Sequence, residues 1–216
     1  AALEQGQTFA QALRAQPQAF GTLFVATIEA SQRTGQIPDA LRRQAAYLAW
    51  LGTRQKAPQP QADAPVIAIA LHQAYIAGQQ TAFIDDLIAR IEAAGATALP
   101  FYAPVMDADA ISRMTRVAGR VLPNAIINTQ IMLNPEGRRA EFAALGVPVV
   151  QAMPYRRGDV AAWQADRAGV SLTDVPFYLA QAEYAGVIDI QIAAATRQAD
   201  GELLPIAPQA DAVVSK

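Results

Sequence analysis

Between residues 65 and 208, short apolar runs alternate with stretches whose apolar residues recur every three or four positions. The first run, Val66-Ile67-Ala68-Ile69-Ala70-Leu71, is wholly apolar and partly β-branched, the pattern of a strand covered on both faces. A polar loop from His72 to Gly78 follows. Then comes a stretch with Phe83, Leu87, Ile88 and Ile91 on one stripe, Asp85, Asp86, Arg90 and Glu92 elsewhere, and Gly95 at its end, which predicts an amphipathic helix with a glycine cap. Further strands are predicted at 98–102, 125–127, 147–151 and 187–193. The turn signal Asp200-Gly201 introduces a short final strand at Leu203-Leu204. Helices are expected at 107–119, with Asp107 as N-cap and Ile111, Met114 and Val117 inward, and near 138–145, 160–167 and 173–182. Strands separated by helices imply a parallel sheet with right-handed crossovers. Their number and spacing fit a flavodoxin-like α/β layer better than a barrel.

The first 51 residues read differently. Phe9 and Leu13, then Phe20, Leu23, Phe24 and Ile28, recur at helical spacing, Pro17 separates two segments, and Pro38 sits near the first turn of a third. Such short helices cannot bury their stripes alone and are expected to pack on one another, on the following domain or on a partner. Residues 52–64, with Pro58 and Pro60 among Gln and Ala, read as a linker. The expected organisation is a small helical segment (1–51), a linker (52–64), a flavodoxin-like α/β domain with flanking helices (65–208) and a tail (209–216).

Composition narrows the chemistry. A hydrophobic share of 52% against 17% charged residues is that of a globular chain. A net charge of -2 without a basic stripe gives no footprint for nucleic acid. There is no cysteine, so thiolate catalysis, disulfides and cysteine-bound zinc are excluded. A single histidine excludes a multi-histidine metal site within this chain. No apolar run is long enough to span a bilayer and no signal segment opens the chain, so a cytoplasmic location is expected. The start at Ala1 reads as a processed chain or a piece of a longer one.

No glycine-rich phosphate loop follows the first strand and no Gly-x-Ser-x-Gly elbow occurs. What remains is a set of polar groups at expected strand ends: His72 and Gln73 at the first, Asn128 and Gln130 at the third, Gln151, Tyr155 and Arg156 at or after the fourth. In a parallel sheet these converge on the edge where ligands bind. His72 reads as a metal ligand or proton donor, or as a side chain hydrogen-bonding a neighbouring loop. Arg156-Arg157 reads as a bidentate carboxylate binder or a solvated loop. Glu183 reads as a general base or ligand, or as a helix-end cap. Tyr75, Trp163 and Phe177 read as stacking platforms for a flat ligand or as core. No catalytic constellation is complete.

The stretch from Pro65 to Gly95, with Ala77-Gly78 and Ile84-Asp85-Asp86-Leu87-Ile88, resembles the large subunit of cobaltochelatase and its magnesium chelatase relative. Asn124-Ala125-Ile126-Ile127-Asn128, Leu145-Gly146-Val147-Pro148-Val149-Val150-Gln151 and Ala182-Glu183-Tyr184-Ala185-Gly186-Val187-Ile188 match further family elements in the right order. The resemblance covers about residues 37–208. The chain departs from the family at His72-Gln73, where an aromatic and an arginine are common, and at Ala182, where proline is usual. The resemblance implies a domain of a large subunit that contributes to tetrapyrrole binding for ATP-dependent metal insertion, in cobalamin or related tetrapyrrole biosynthesis. Cobalt or magnesium, and ATP, would be handled by the wider complex, and the chain itself would hold no tightly bound cofactor and no metal. The implied partners are the tetrapyrrole, other domains of the large subunit and ATPase chelatase subunits. His72, Gln73, Asn128, Gln130, Tyr155, Arg156 and Glu183 are the residues placed toward the ligand, with Arg156 pairing a ring carboxylate. Alternatives are a non-catalytic scaffold, or a helical module fused to an α/β domain: residues 1–50, with Ala30-Ser31-Gln32-Arg33-Thr34-Gly35, also resemble the cytoplasmic domain of type II secretion F proteins.

Overall fold

The computed structural model describes residues 8, 11–12, 64–78, 80–117 and 119–216. Nearly all of the expected N-terminal helices and linker lie outside these residues. The chain divides into two compact units, Ala1–Ala57 and Pro58–Lys216. In the first, Thr8 and Gln11 cap one another reciprocally: Thr8 N–H donates to Gln11 Oε1 (2.8 Å) and Gln11 N–H to Thr8 Oγ1 (3.2 Å), the arrangement that satisfies orphan donors at a helix start.

The second unit is an α/β layer. Its strands are β1 (Val66–Leu71), β2 (Thr97–Tyr102), β3 (Arg116–Val117), β4 (Arg120–Val121), β5 (Ala125–Asn128), β6 (Val149–Tyr155), β7 (Ile190–Thr196) and β8 (Leu203–Pro205). Its helices are α1 (Gln73–Ala77), α2 (Ala82–Ala93), α3 (Ala110–Thr115), α4 (Pro135–Leu145), α5 (Val160–Ala165), α6 (Gln181–Tyr184) and α7 (Ala207–Val214), with a π-helical turn, Pro176–Ala180, leading into α6. The main sheet runs β2-β1-β5-β6-β7-β8. All its pairings are parallel except β7–β8. β3 and β4 form a separate hairpin. Counted over the parallel strands alone, this is the flavodoxin-like order 2-1-3-4-5, as the alternation of elements predicts.

Both faces of the sheet are covered, which is why the central strand carries no polar alternation. Ala68 to Leu71 are wholly buried. On one face Ala68, Ala70 and Ile126 pack with Ile111 of α3, Phe142 and Leu145 of α4, and Ala182 of α6. By the period of two, Ile67, Ile69 and Leu71 look the other way, toward α2, which buries Phe83, Ile84, Leu87, Ile88 and Ile91. Each such side chain contributes about 2 kcal/mol, so α2 is held by packing more than by propensity.

Several elements differ from the pattern's prediction, among them the loop expected over 72–78, which contains α1, and the strands expected at 147–151 and 187–193, which become β6 and β7. The helix expected over 107–119 is only α3. Asp107 does not cap it: its carboxylate is taken by Arg113 and by the Asp109 N–H. After Thr115 the chain turns at Gly119 (φ 79) into the β3–β4 hairpin. α4 begins earlier than expected, because Asn134 caps it through Gly137 N–H (3.2 Å) and Pro135 suits its first turn. Residues 209–216, read as a tail, fall mostly within α7, where Ala210 and Val213 are buried. No helix among the described residues is long and apolar enough to cross a membrane.

One buried ion pair ties α4 to the loop after β2. Arg138 bonds Glu141 and donates to Pro104 O (3.1 Å), while Glu141 Oε1 accepts from Ser112 N–H (2.7 Å). Both residues are under 5% exposed, so removing one partner strands a buried charge. We expect Arg138→Met to destabilise the domain by about 3–5 kcal/mol in urea unfolding, and the double variant Arg138→Met, Glu141→Gln to recover part of that loss. Gly146→Ala should lower stability by only about 1 kcal/mol. Its φ of 67° disfavours a Cβ, but no atom lies within reach of one.

Candidate functional site

The strand order reverses at β1, whose neighbours are β2 on one side and β5 on the other. In open α/β sheets the loops leaving the carboxyl ends diverge at such a point and open a crevice. Here β1 ends at Leu71, β5 at Asn128 and, one strand further, β6 at Tyr155. The segments that follow them, 72–78, 129–134 and 156–159, frame the edge.

Beneath that edge lies a layer of buried amides. Gln130 Nε2 donates to Leu71 O (2.6 Å) and Ala103 O (2.7 Å), so one side chain satisfies the carbonyls where β1 and the β2 loop depart. Asn128 Nδ2 donates to Gln151 Oε1 (2.7 Å) and Gln130 O (2.8 Å), and Gln151 Nε2 also donates to Gln130 O (2.7 Å). Thr129 Oγ1 donates to Ala70 O (2.9 Å). All four are at most 2% exposed. The donors in this network fix the orientation of each amide, and they brace the loops against collapse into the crevice. Asn128 Oδ1 has no hydrogen-bond partner.

Above the amides sits a cluster of His72, Tyr75, Arg156 and Tyr178. Tyr178 Oη donates to Pro154 O (3.0 Å) and accepts from Arg156 Nε (3.1 Å). Tyr75 Oη donates to Thr129 O (3.3 Å) and feels the nearby Arg156 charge. Burial, only partly offset by Arg156, pushes the Tyr75 phenol up to about 12. The Tyr178 phenol is raised by burial in the same way. Both tyrosines are therefore neutral, and both give their proton to a backbone carbonyl. His72 is the N-cap of α1: its Nδ1 accepts from Ala74 N–H (3.1 Å), and its ring lies 5.9 Å from that of Tyr75. Burial first, then the charge of Arg156, holds the His72 pKa below 6.5. With Nδ1 accepting, the ring proton is on Nε2.

Of the residues read as ligand-facing, His72 and Arg156 come together at the surface of the edge. Asn128 and Gln130 lie directly below, with their amides directed at protein groups. The side chain of Gln73 is outside the described ones. Tyr155 is engaged elsewhere: its ring packs with Ala195 and Ile206, and its Oη donates to Asp166 (2.8 Å). Trp163 packs on that same cluster. Glu183 is exposed on α6, three residues before Gly186, which lines a cavity at the opposite edge. Sequence reasoning missed Tyr178 altogether. It reaches Arg156 because the π-helical turn, a feature common at functional sites, swings it inward while Phe177 stays 41% exposed.

The opposite, amino edge holds a cavity of about 650 Å³, lined by Ile67, Ile91, Val149 and Val213 among others. Its ionic groups, Asp189 and Lys216, pair with each other at 2.8 Å, so it offers little chemistry despite its size. Among the described residues no three His, Asp or Glu side chains gather as a metal site needs.

Comparison with known proteins places the chain. A search of curated protein sequences returns no match. Among solved structures, the catalytic subunit of cobaltochelatase from Mycobacterium tuberculosis superposes with a TM-score of 0.58 at 21% identity, over 73% of this chain and 15% of that one. At that identity the likeness shows the shared fold, and the chain spans a small part of the length of that subunit. The family model described as CobN/Magnesium Chelatase matches residues 7–216. With nearly the whole sequence matched, from the first helical segment through α7, this chain belongs to the CobN/magnesium chelatase family.

Proposed function

We propose that this chain is a tetrapyrrole-facing domain of a chelatase large subunit. Its part is to bind and orient the macrocycle, while insertion of cobalt or magnesium is driven by ATPase subunits elsewhere in the complex. The observation that carries the reading is the cluster at the carboxyl edge: an exposed arginine bonded to the neutral Tyr178 phenol, beside Tyr75 and His72 and above a layer of buried amides. Such an edge is where this class of sheet binds ligands, and a fixed cation suits an anionic ligand better than a mobile one. Family membership supports a tetrapyrrole as the class of ligand.

A second reading has its own support. Leu172, Ile188 and Met106 are 92%, 86% and 63% exposed. Large apolar side chains left in solvent suit a domain whose role is to dock neighbouring parts of a larger assembly.

An absorbance titration of the purified chain with a carboxylated corrin and a carboxylated porphyrin separates the two. The tetrapyrrole reading expects a saturable spectral shift at micromolar ligand, weakened at least tenfold in Arg156→Ala. No saturable shift with either macrocycle would favour the scaffold. The site's electrostatics have an independent check. The Tyr75 pKa is raised in the fold, so the unfolded chain loses that proton first. The associated stability is fully present below about pH 10 and is lost as pH rises toward 12, by up to about 3 kcal/mol. Phenolate absorbance should accordingly show fewer tyrosines titrating near pH 10 in the native chain than in urea, and Tyr75→Phe should narrow that difference by one tyrosine.

A further inference from the structure

The hydrogen-bond polarity of the edge restricts what it can hold. Two acceptors in the cluster are already in use: Tyr178 Oη accepts from Arg156 Nε, and His72 Nδ1 accepts from Ala74 N–H. The phenolic protons are used too, on Pro154 O and Thr129 O. Arg156 is exposed and His72 half-buried, so the free donors of the cluster are the Nη groups of Arg156 and the Nε2–H of His72, with the Asp174 charge acting on the same arginine. Several arginines of this unit pair with carboxylates, as Arg90 does with Asp86, Arg113 with Asp107, Arg138 with Glu141, Arg157 with Asp166 and Arg197 with Asp200, while Arg116 bonds backbone carbonyls. Among the described residues Arg156 forms no such pair, and its raised pKa leaves it charged at any working pH.

We propose that this edge is a subsite for a carboxylate on the rim of the macrocycle, gripped by the Nη groups of Arg156 and the Nε2–H of His72, and that it does not receive the metal ion. This rests on the tetrapyrrole reading above and narrows it to one functional group of the substrate. A guanidinium fork matches the two oxygens of a carboxylate. A metal ion would find no lone pair here: Nδ1 of His72 is held by its own helix, and Nε2 carries the proton. The N-cap bond thus has a consequence beyond α1, because it sets which ring nitrogen faces the ligand. His72 acts as a neutral donor, and its partner group must be an acceptor.

The test compares a porphyrin bearing carboxylate side chains with the same macrocycle in which they are primary amides. With the wild-type chain, the acid should bind at least tenfold more tightly than the amide, and Arg156→Ala should bring the two within about twofold of each other. His72→Asn keeps an oxygen that can cap Ala74 N–H but removes the Nε2–H. It should weaken the acid about threefold to tenfold, leave the amide unchanged and preserve the far-ultraviolet circular dichroism. His72→Gln, which retains an amide donor on a longer side chain, should recover part of the loss and serves if the asparagine variant misfolds. Equal affinity for acid and amide would overturn the subsite alone. So would calorimetric binding of cobalt or magnesium ion to the free chain that disappears in His72→Asn. Failure of both macrocycles to bind would overturn the tetrapyrrole reading and the subsite with it.

Discussion

Where β1 and its neighbours end, the backbone must leave the sheet in several directions while its carbonyls stay buried. A buried carbonyl without a donor costs about 1–3 kcal/mol, so an edge that opens a crevice needs donors beneath it. Gln130 supplies two from one amide, to Leu71 O and Ala103 O, while Asn128 and Gln151 close on the Gln130 backbone. The crevice, the placement of α1 and the path of the loop after β5 all depend on this layer. An apolar core at the same place would leave those carbonyls unmet and the loops free to close over the gap.

On that floor, Arg156 is held in an uncommon way. The Tyr178 oxygen orients it without neutralising it, and the phenols are kept protonated by burial and by their own bonds to backbone carbonyls. The result is an exposed positive charge tethered to Tyr178, near Asp174, that forms no ion pair among the described residues. Binding an anion there needs little reorganisation, since the rotamer entropy of a long side chain has already been lost in folding. The same economy explains His72, whose ring is positioned by the helix it caps. The remaining chemistry of the unit is at a distance: the Asp166 cluster under Tyr155, and the apolar cavity at the amino edge.

Much of this was legible in the chain. The continuous apolar run of β1, the stripe of α2 and the polar triplet Asn128-Thr129-Gln130 after a short strand carry the fold and the edge, because a strand covered on both faces leaves no other pattern. The convergence of His72 and Arg156 follows from parallel topology alone. The depth of Asn128 and Gln130 does not, since an amide at a strand end reads alike whether it meets ligand or backbone. The packing of the Tyr155 ring on Ala195 and Ile206 was not legible either, since a tyrosine at a strand end reads alike whether it meets ligand or core. Tyr178 was invisible because a π-helical turn, not periodicity, points it inward. The 107–119 helix was overextended because Asp107 engages Arg113, and Gly119 with flanking valines favours a hairpin. The N-terminal helices lie almost wholly outside the described residues.

The claim beneath all of this is that function resides at the carboxyl edge and not in the cavity opposite. Amide chemical-shift mapping of the isotope-labelled chain with a carboxylated porphyrin addresses it directly. The account predicts perturbations confined to the neighbourhood of His72, Tyr75, Thr129, Arg156 and Tyr178. Perturbations centred instead on Ile67, Asn124, Ile188 and Asp189, with the carboxyl edge silent, would contradict it.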